Sequence, residues 1–424
     1  MLQRLLLTLL LLAITAGFLD HRQKAGSFQK VDQAFLDFMV ANARENFDKS
    51  LPDHDGVVLV ELRAEDHAEY ASWPPPPLDW QTLVRGLQEY DPEVLVIATP
   101  LNWGRPTPDF APALADALLP FTSVILGVEA QLADGETSAP AFLGDLDSLL
   151  PRFIQVDGDA SRVPSLASLI TAPDAAVRAS SEMGLLCLRQ EKGTRRLPYA
   201  VKDQDAFIPT LLAQTLARHS HSPYSSGHRL HLGAGAGAYL QEGRYVPLRP
   251  SGEFIVTPQA TVPTVNALHL MAGSLADAVS DTEKALLAKA DILVLGITQA
   301  ESLEGPPSLP RLYAQAFHHL LGLPRLQKLG SLGQWIIQIL AVLAALWLIM
   351  RVPPEKVLKS GLFLFFLAFI GAYLLFQASL ISFSPVPPSV ILVLGMLLGR
   401  FWRKKETTIS LSPSSPASQD TVAT

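Results

Sequence analysis

Four histidines, His219, His221, His228 and His231, fall inside the stretch ARHSHSPYSSGHRLH. Neutral imidazoles at such close spacing can bind zinc or nickel. Ser, Pro and Gly dominate the residues between them, so the expectation is a mobile, solvated loop rather than a metal site. GAGAGAY, residues 233–239, is Gly-rich but lacks the GK[ST] ending of a phosphate loop and a third Gly at dinucleotide spacing, which leaves a turn. Asp157 and Asp159 in VDGDAS lack the regularly spaced oxygen ligands of a calcium loop and are read as loop residues. The single cysteine, Cys187, excludes an intrachain disulfide and a thiolate metal cluster. Its apolar surroundings, MGLLCLRQ, predict a buried, inert thiol. The chain has no G-x-S-x-G elbow and no H-E-x-x-H, and nothing sets a Ser or Cys beside a base and a third orienting group. The expectation is a protein that is not an enzyme and carries no cofactor or metal.

A binding site remains open, and it needs rigid elements to hold it. Strand-like runs recur at DGVVLVEL (residues 55–62), VLVIAT (94–99) and SVILGV (123–128). Between them lie the helix-like LDWQTLVRGLQEY and a helix from Asp109 with Ala113, Leu114, Ala117 and Leu118 on one face. DILVLGIT (291–298) repeats the strand pattern far downstream and is followed by a helix over 309–321, so the sheet is expected to close with a distant strand. Near-continuous apolar strands separated by helices predict an α/β domain with a mostly parallel sheet covered by helices. In such sheets ligands bind beyond the carboxyl ends of the strands. The candidates there are Glu61, Arg63 and Asp66, then Asn102, Trp103 and Arg105, then Glu129, then Thr298 and Glu301. Charged and amide groups beside an indole can hold a small polar molecule. The plainer reading is that Trp73 and Trp103 cap the core and the acids are solvated loop residues.

Four apolar segments bracket this domain, at residues 5–19, 332–350, 361–383 and 386–402. A helix needs roughly 17 to 25 apolar residues to cross a bilayer. The segments at 332–350 and 361–383 meet that length. The last is shorter once Pro387 and Pro388 are set aside as its cap, and Arg400 can snorkel to the headgroups. The first has the length of either a signal peptide or an anchor; Ile14 spoils one cleavage site and the other relies on Thr15, so an uncleaved anchor is expected. Arg351, Lys356 and Lys359 follow the second span and Arg403, Lys404 and Lys405 end the last, which places both termini in the cytoplasm and the central domain outside. His21, Arg22 and Lys24 argue the other way and are outnumbered. Beyond Lys405 the chain is rich in Ser, Thr and Pro and is expected to be disordered, with no room for a cytoplasmic catalytic domain. The composition, 49% hydrophobic and 17% charged with a net charge of −7, gives the exported part no basic face for nucleic acid.

An ordered series of blocks resembles the CHASE2 domain, an extracellular sensory domain of bacterial membrane signalling proteins. The series runs VVLVEL, SWPPPP, DWQTLVRGLQEY, VLVIAT, PDFAPALADAL and SVILGV, and continues with LRPSGEFIVTPQATVPTVNALHLMAGSL and ADILVLGITQAESLEGPPSLPRLYAQAFHHLLG. Trp73, Pro74 and Pro76 fit the family's tryptophan-proline signature; Pro75 stands where a second tryptophan is expected and Pro77 where an arginine is. The family's strand-end acids are replaced around Glu61 to Arg63 and at Ala98 or Thr99, while Asp109 is in place. The resemblance implies one membrane helix before the domain and three after it, hence an anchor over 1–24, the CHASE2-like domain over 25–331, three spans over 332–402 and a tail over 403–424. It also implies a multi-pass protein of the bacterial cytoplasmic (inner) membrane that senses a small-molecule ligand or a protein. Glu61, Arg63, Asn102, Trp103, Asp109, Thr298 and Glu301 are the candidate ligand contacts. With no output domain expected in the tail, a protein partner or a homo-oligomer must read the change. An envelope assembly protein and a periplasmic enzyme are the alternatives.

Overall fold

The computed structural model describes residues 2–25, 27–43, 56–70, 72–104, 109–133, 143–191, 194–233, 235–256, 261–271, 279–299 and 308–409. The chain forms two compact units, one of Met1–Ala43 with Leu326–Thr424 and one of Arg44–Arg325. The strands of the main sheet are β1 (Val57–Arg63), β2 (Val94–Ile97), β3 (Val124–Leu132), β4 (Leu166–Thr171), β5 (Glu182–Leu186), β6 (Thr264–Asn266) and β7 (Ile292–Thr298). The principal helices are α1 (Leu2–Lys24), α2 (Gln29–Asn42), α3 (Pro77–Leu87), α4 (Ala111–Leu118), α5 (Leu211–His219), α6 (Leu309–Leu321), α7 (Ser331–Arg351), α8 (Pro354–Ser379) and α9 (Val386–Ile409).

In the Arg44–Arg325 unit the sheet has seven strands in the order β6-β1-β7-β2-β3-β4, with β5 also on β3. All of its pairs are parallel except β3 with β4. Side chains alternate between the two faces of a strand. Val58, Val60, Leu62, Leu95, Ile97, Leu126, Leu293 and Leu295 therefore meet Trp80, Leu83, Val84 and Leu87 of α3 and Leu114, Ala117 and Leu118 of α4 in one core. The alternate residues, Leu59, Glu61, Val294 and Gly296 among them, face the other side. There α6 packs on β1 and β7, and α5 packs on β2, β3 and β5.

The distant strand does not close the sheet. β7 inserts between β1 and β2, pairing residue for residue with both, and the edge beyond β1 falls to β6. The chemistry of the two strands decides this. Ile292, Leu293, Val294 and Leu295 are wholly buried and need cover on both faces and both edges, whereas β6 is three residues long with Thr264 exposed, as suits an edge.

The histidine-rich stretch is a solvated loop only in its middle, where His221 is exposed in a turn, while His219 and His228 are buried. His219 closes α5, and His231 lies in the strand Arg229–Leu232 of a second, four-stranded sheet. Gly237–Tyr239 and Gln155–Gly158 are strands of that same sheet, so the Gly-rich run is only in part a turn and Asp157 is a strand residue. Gly237 is required there, because a Cβ would run into the Tyr245 ring on the neighbouring strand.

The other unit is helical. Among the described residues, Ser331–Arg351 and Glu355–Ser379 are long and apolar enough to cross a membrane, and Val386–Arg400 is a shorter apolar helix. Leu12, Ala16 and Leu19 of α1 share a core with Ala341 and Ala345 of α7 and Ile391 of α9. Gly395 lets the α7 and α9 backbones approach, since a Cβ there would lie 2.6 Å from that of Ala345. α8 is shifted toward the N-terminus relative to the apolar segment 361–383. It starts on Pro354 and ends where Leu380 turns left-handed, so Lys356 and Lys359 are helical. On α2, Phe35 meets Phe369 and Phe38 meets Tyr373 of α8.

Candidate functional site

The carboxyl ends of β1, β6 and β7 bring Glu61, Asn266 and Gly296 into one row. Glu61 is only 1% exposed and points toward α6. Gly296 opens the space above it, for a Cβ at that position would collide with Pro310 in the first turn of α6. With that turn seated on the sheet, Arg311 donates from Nε and Nη2 to Glu61 Oε1 at 3.1 and 2.6 Å. Arg63 donates from Nε to Glu61 Oε2 at 3.3 Å. Both oxygens of the buried carboxylate are thus held by guanidinium groups of the chain itself. Such charge-assisted bonds are what makes a buried acid tolerable.

The remaining strand-end candidates sort by their partners. Asn266 Nδ2 donates to Asp66 Oδ2 at 3.1 Å, and Asn266 Oδ1 accepts from the Leu268 backbone at 3.0 Å. Asn102 donates to the Ala172 carbonyl at 2.8 Å and accepts from the Gly104 backbone at 2.9 Å. Trp103 donates from Nε1 to the Pro75 carbonyl at 3.0 Å. Trp73 and Trp103 both lie partly buried against the core, which favours the capping role for the indoles. Thr298 is buried at the end of β7. Glu129 pairs across β3 with Thr171 and Leu186. Asp109 is exposed just before α4 and stands apart from this network among the described residues. Glu301 and Arg105 lie outside the described residues.

The structure therefore unites Glu61 with Arg63 and adds Arg311 and Asn266, which the sequence reading passed over. A signal for Arg311 existed. It is a cation set beside the buried stripe of Leu312, Tyr313, Ala316, Phe317 and Leu320, where a helix seated on a sheet has little use for charge unless an acid waits opposite. Nearby, the Tyr70 ring packs 5.4 Å from Trp73, and burial, aided by Asp66 and Asp79, pushes its phenol up to about 12.

The histidines occupy separate places. His228 is fully buried, with Nε2 2.9 Å from the Tyr199 hydroxyl and Phe153 and Tyr224 packed on its ring. Burial lowers its pKa to about 3, so it is neutral. His219 Nδ1 lies 2.8 Å from Glu93 Oε2, and His221 Nε2 lies 3.6 Å from Oε1 of the same acid. His231 Nδ1 pairs with Asp157 at 2.5 Å. Among the described residues no group of three or more His, Cys, Asp or Glu is placed to hold a metal ion. Cys187 is buried, and burial raises its thiol pKa.

Against known proteins, the family model of the CHASE2 domain matches residues 6–373. No curated protein and no solved structure matches the chain.

Proposed function

We propose, on the premise that this chain belongs to the CHASE2 domain family of extracellular sensory domains, that it is a membrane-anchored sensor of the bacterial cytoplasmic membrane. The observation that carries the reading is the extent of the family match, residues 6–373, which runs from α1 through the whole sheet unit into α8. The central domain lies outside the cytoplasm, α1 anchors it from the N-terminal side, and α7, α8 and α9 cross the membrane after it, with both termini inside. Two features support the arrangement: the length and apolarity of α7 and α8, and the basic residues Arg351, Lys356 and Lys359 between and within them. The protein is not an enzyme in this reading. It responds to a small polar molecule or a protein, and a protein partner or a second copy of the chain reads the response, since a ligand acts only through its differential affinity for two states.

Crosslinking in cells tests the proposal. Full-length protein and a version lacking residues 25–330 should capture different partners or different oligomers; identical captures overturn it. A second reading, an envelope assembly protein whose exported domain binds no ligand, draws support from Glu61, whose oxygens are already taken by Arg63 and Arg311. A compound that raises the melting temperature by binding the folded exported domain overturns that second reading.

A further inference from the structure

β2, β3 and β5 are adjacent and parallel, so their amino ends lie in a row on the edge of the sheet opposite to Glu61. Glu93 precedes β2, and Glu182 stands at the start of β5. Together with Gln214 and Arg218 of α5 and the segment from His221 to Tyr224 they line a cavity. Its volume is about 710 Å³, within the range of roughly 300–1,000 Å³ that small-molecule sites occupy.

The two carboxylates of this cavity differ in what holds them. Glu182 Oε2 accepts from Gln214 Nε2 and Arg218 Nε at 2.5 Å each, and Arg218 Nη2 closes the pair on Oε1. Its charge is matched. Glu93 has only imidazoles beside it. His219, kept neutral by burial, donates from Nδ1 to Oε2 at 2.8 Å. His221 Nε2, 3.6 Å from Oε1, is beyond hydrogen-bond reach. Oε1 therefore accepts no hydrogen bond among the described residues and, on a side chain that is 32% accessible, it is open to water.

No lysine or arginine among the described residues comes within ion-pair distance of Glu93. Around it Arg244 and Arg325 are answered by Glu242 and Asp291, two charges against two. With the imidazoles uncharged, one negative charge is left on the cavity wall. Burial raises the pKa of Glu93, with His221 and Arg244 opposing and Glu242 adding, so the carboxylate is poorly solvated where it stands. An anion meets the wrong charge here, and Arg218 has Nε and Nη2 committed to Glu182. A bare metal ion lacks ligands, since no group of three or more His, Cys, Asp or Glu is placed to hold one among the described residues. An ammonium group fits. It brings N–H donors to Glu93 Oε1 and to a neutral His221 ring, while Pro151 and Pro223 offer apolar surface to its carbon skeleton.

We propose that this cavity at the amino ends of β2, β3 and β5 binds a small organic molecule carrying a primary ammonium group, with Glu93 Oε1 as its acceptor. The inference rests on the sensory reading, to which it adds the place and the class of the ligand. Binding and partner capture are separate measurements, so the two proposals fail separately.

The test uses full-length protein in phosphatidylcholine nanodiscs at about pH 8, where histidine side chains as a class are neutral and primary amines are protonated. Ethanolamine, putrescine and phenethylamine are the probes. Choline, a cation without N–H donors, and D-glucose, an uncharged polyol, are the comparators. Melting temperature and calorimetric titration are the readouts. At least one amine is expected to raise the melting temperature, and both comparators to leave it unchanged. Glu93→Gln keeps an acceptor for His219 and removes the charge, so it should weaken amine binding at least about tenfold. Thr122→Trp, at an exposed position on the cavity wall, should block binding without touching the core, and carries the test if Glu93→Gln does not fold. No response to any of the amines overturns the proposal. So does a response to choline or D-glucose that matches the best amine, or amine binding that survives the variant tested.

Discussion

Glu61 sits on the inner face of β1 with a guanidinium group against each of its oxygens, and Arg311 makes the shorter contacts. Removing one partner of a buried ion pair typically costs about 3–5 kcal/mol. Arg311→Met is expected to cost less, about 2–3 kcal/mol, because Arg63 remains beside the carboxylate; a denaturant melt that leaves the midpoint unmoved would refute the structural role given to this pair. The buried histidines make stability depend on pH. Burial, with Arg244, Arg325 and His221 adding and Asp291 opposing, holds His219 near 4, and burial holds His228 near 3, both below the ordinary value of 6.5. The unfolded chain therefore binds more protons than the fold as pH drops below about 6.5. The stability from these groups is full above that pH and is lost as pH falls toward 4 for His219 and 3 for His228. Melting temperature should decline from pH 6.5 to pH 4, and His228→Gln should show a shallower decline even from a lower start. A flat profile for the parent protein would contradict the neutral, buried state of both rings. Glu61 was legible from its place at the end of a strand, but its partner Arg311 lies 250 positions away in the chain, and no local pattern joins them.

At the scale of elements, the apolar strands and the helices between them announce themselves by period, because a strand buried on both faces and a helix with one apolar stripe leave different spacings. Their neighbours do not. β7 reads like β1 and β2, yet only packing shows that it lies between them and not at the rim. The contact between α6 and the sheet depends on Gly296, over which Pro310 closes. Gly296→Ala should lift the first turn of α6, weaken Arg311 to Glu61 and cost about 1–3 kcal/mol, the usual range for overfilling a packed core. Unfolding by denaturant measures it, and a neutral result would mean the helix adjusts without loss. The histidine-rich stretch is loop-like by its Ser, Pro and Gly content, yet Phe153 and Tyr199, which with Tyr224 of the stretch itself enclose His228, come from other parts of the chain.

For the whole molecule, orientation across the membrane is the property to measure. Cys187 is buried and its thiol pKa is raised, so an added cysteine can be labelled against a quiet background. In intact cells a membrane-impermeant maleimide should label Asp205→Cys, an exposed position of the sheet unit, and should reach Lys356→Cys only after the membrane is permeabilised. The opposite pattern would invert the proposed topology.

The sequence alone carried the family, the α/β alternation and the apolar helices, since these depend on local period, composition and the order of blocks along the chain. It also located Glu61 and the two capping tryptophans. Tertiary structure decided which strand is central, why Gly296 must be glycine, and that Glu61 is closed off by Arg63 and Arg311. Each of these depends on contact between residues far apart in the chain, made only when helices and strands pack, and a linear pattern of residues holds no record of such distances.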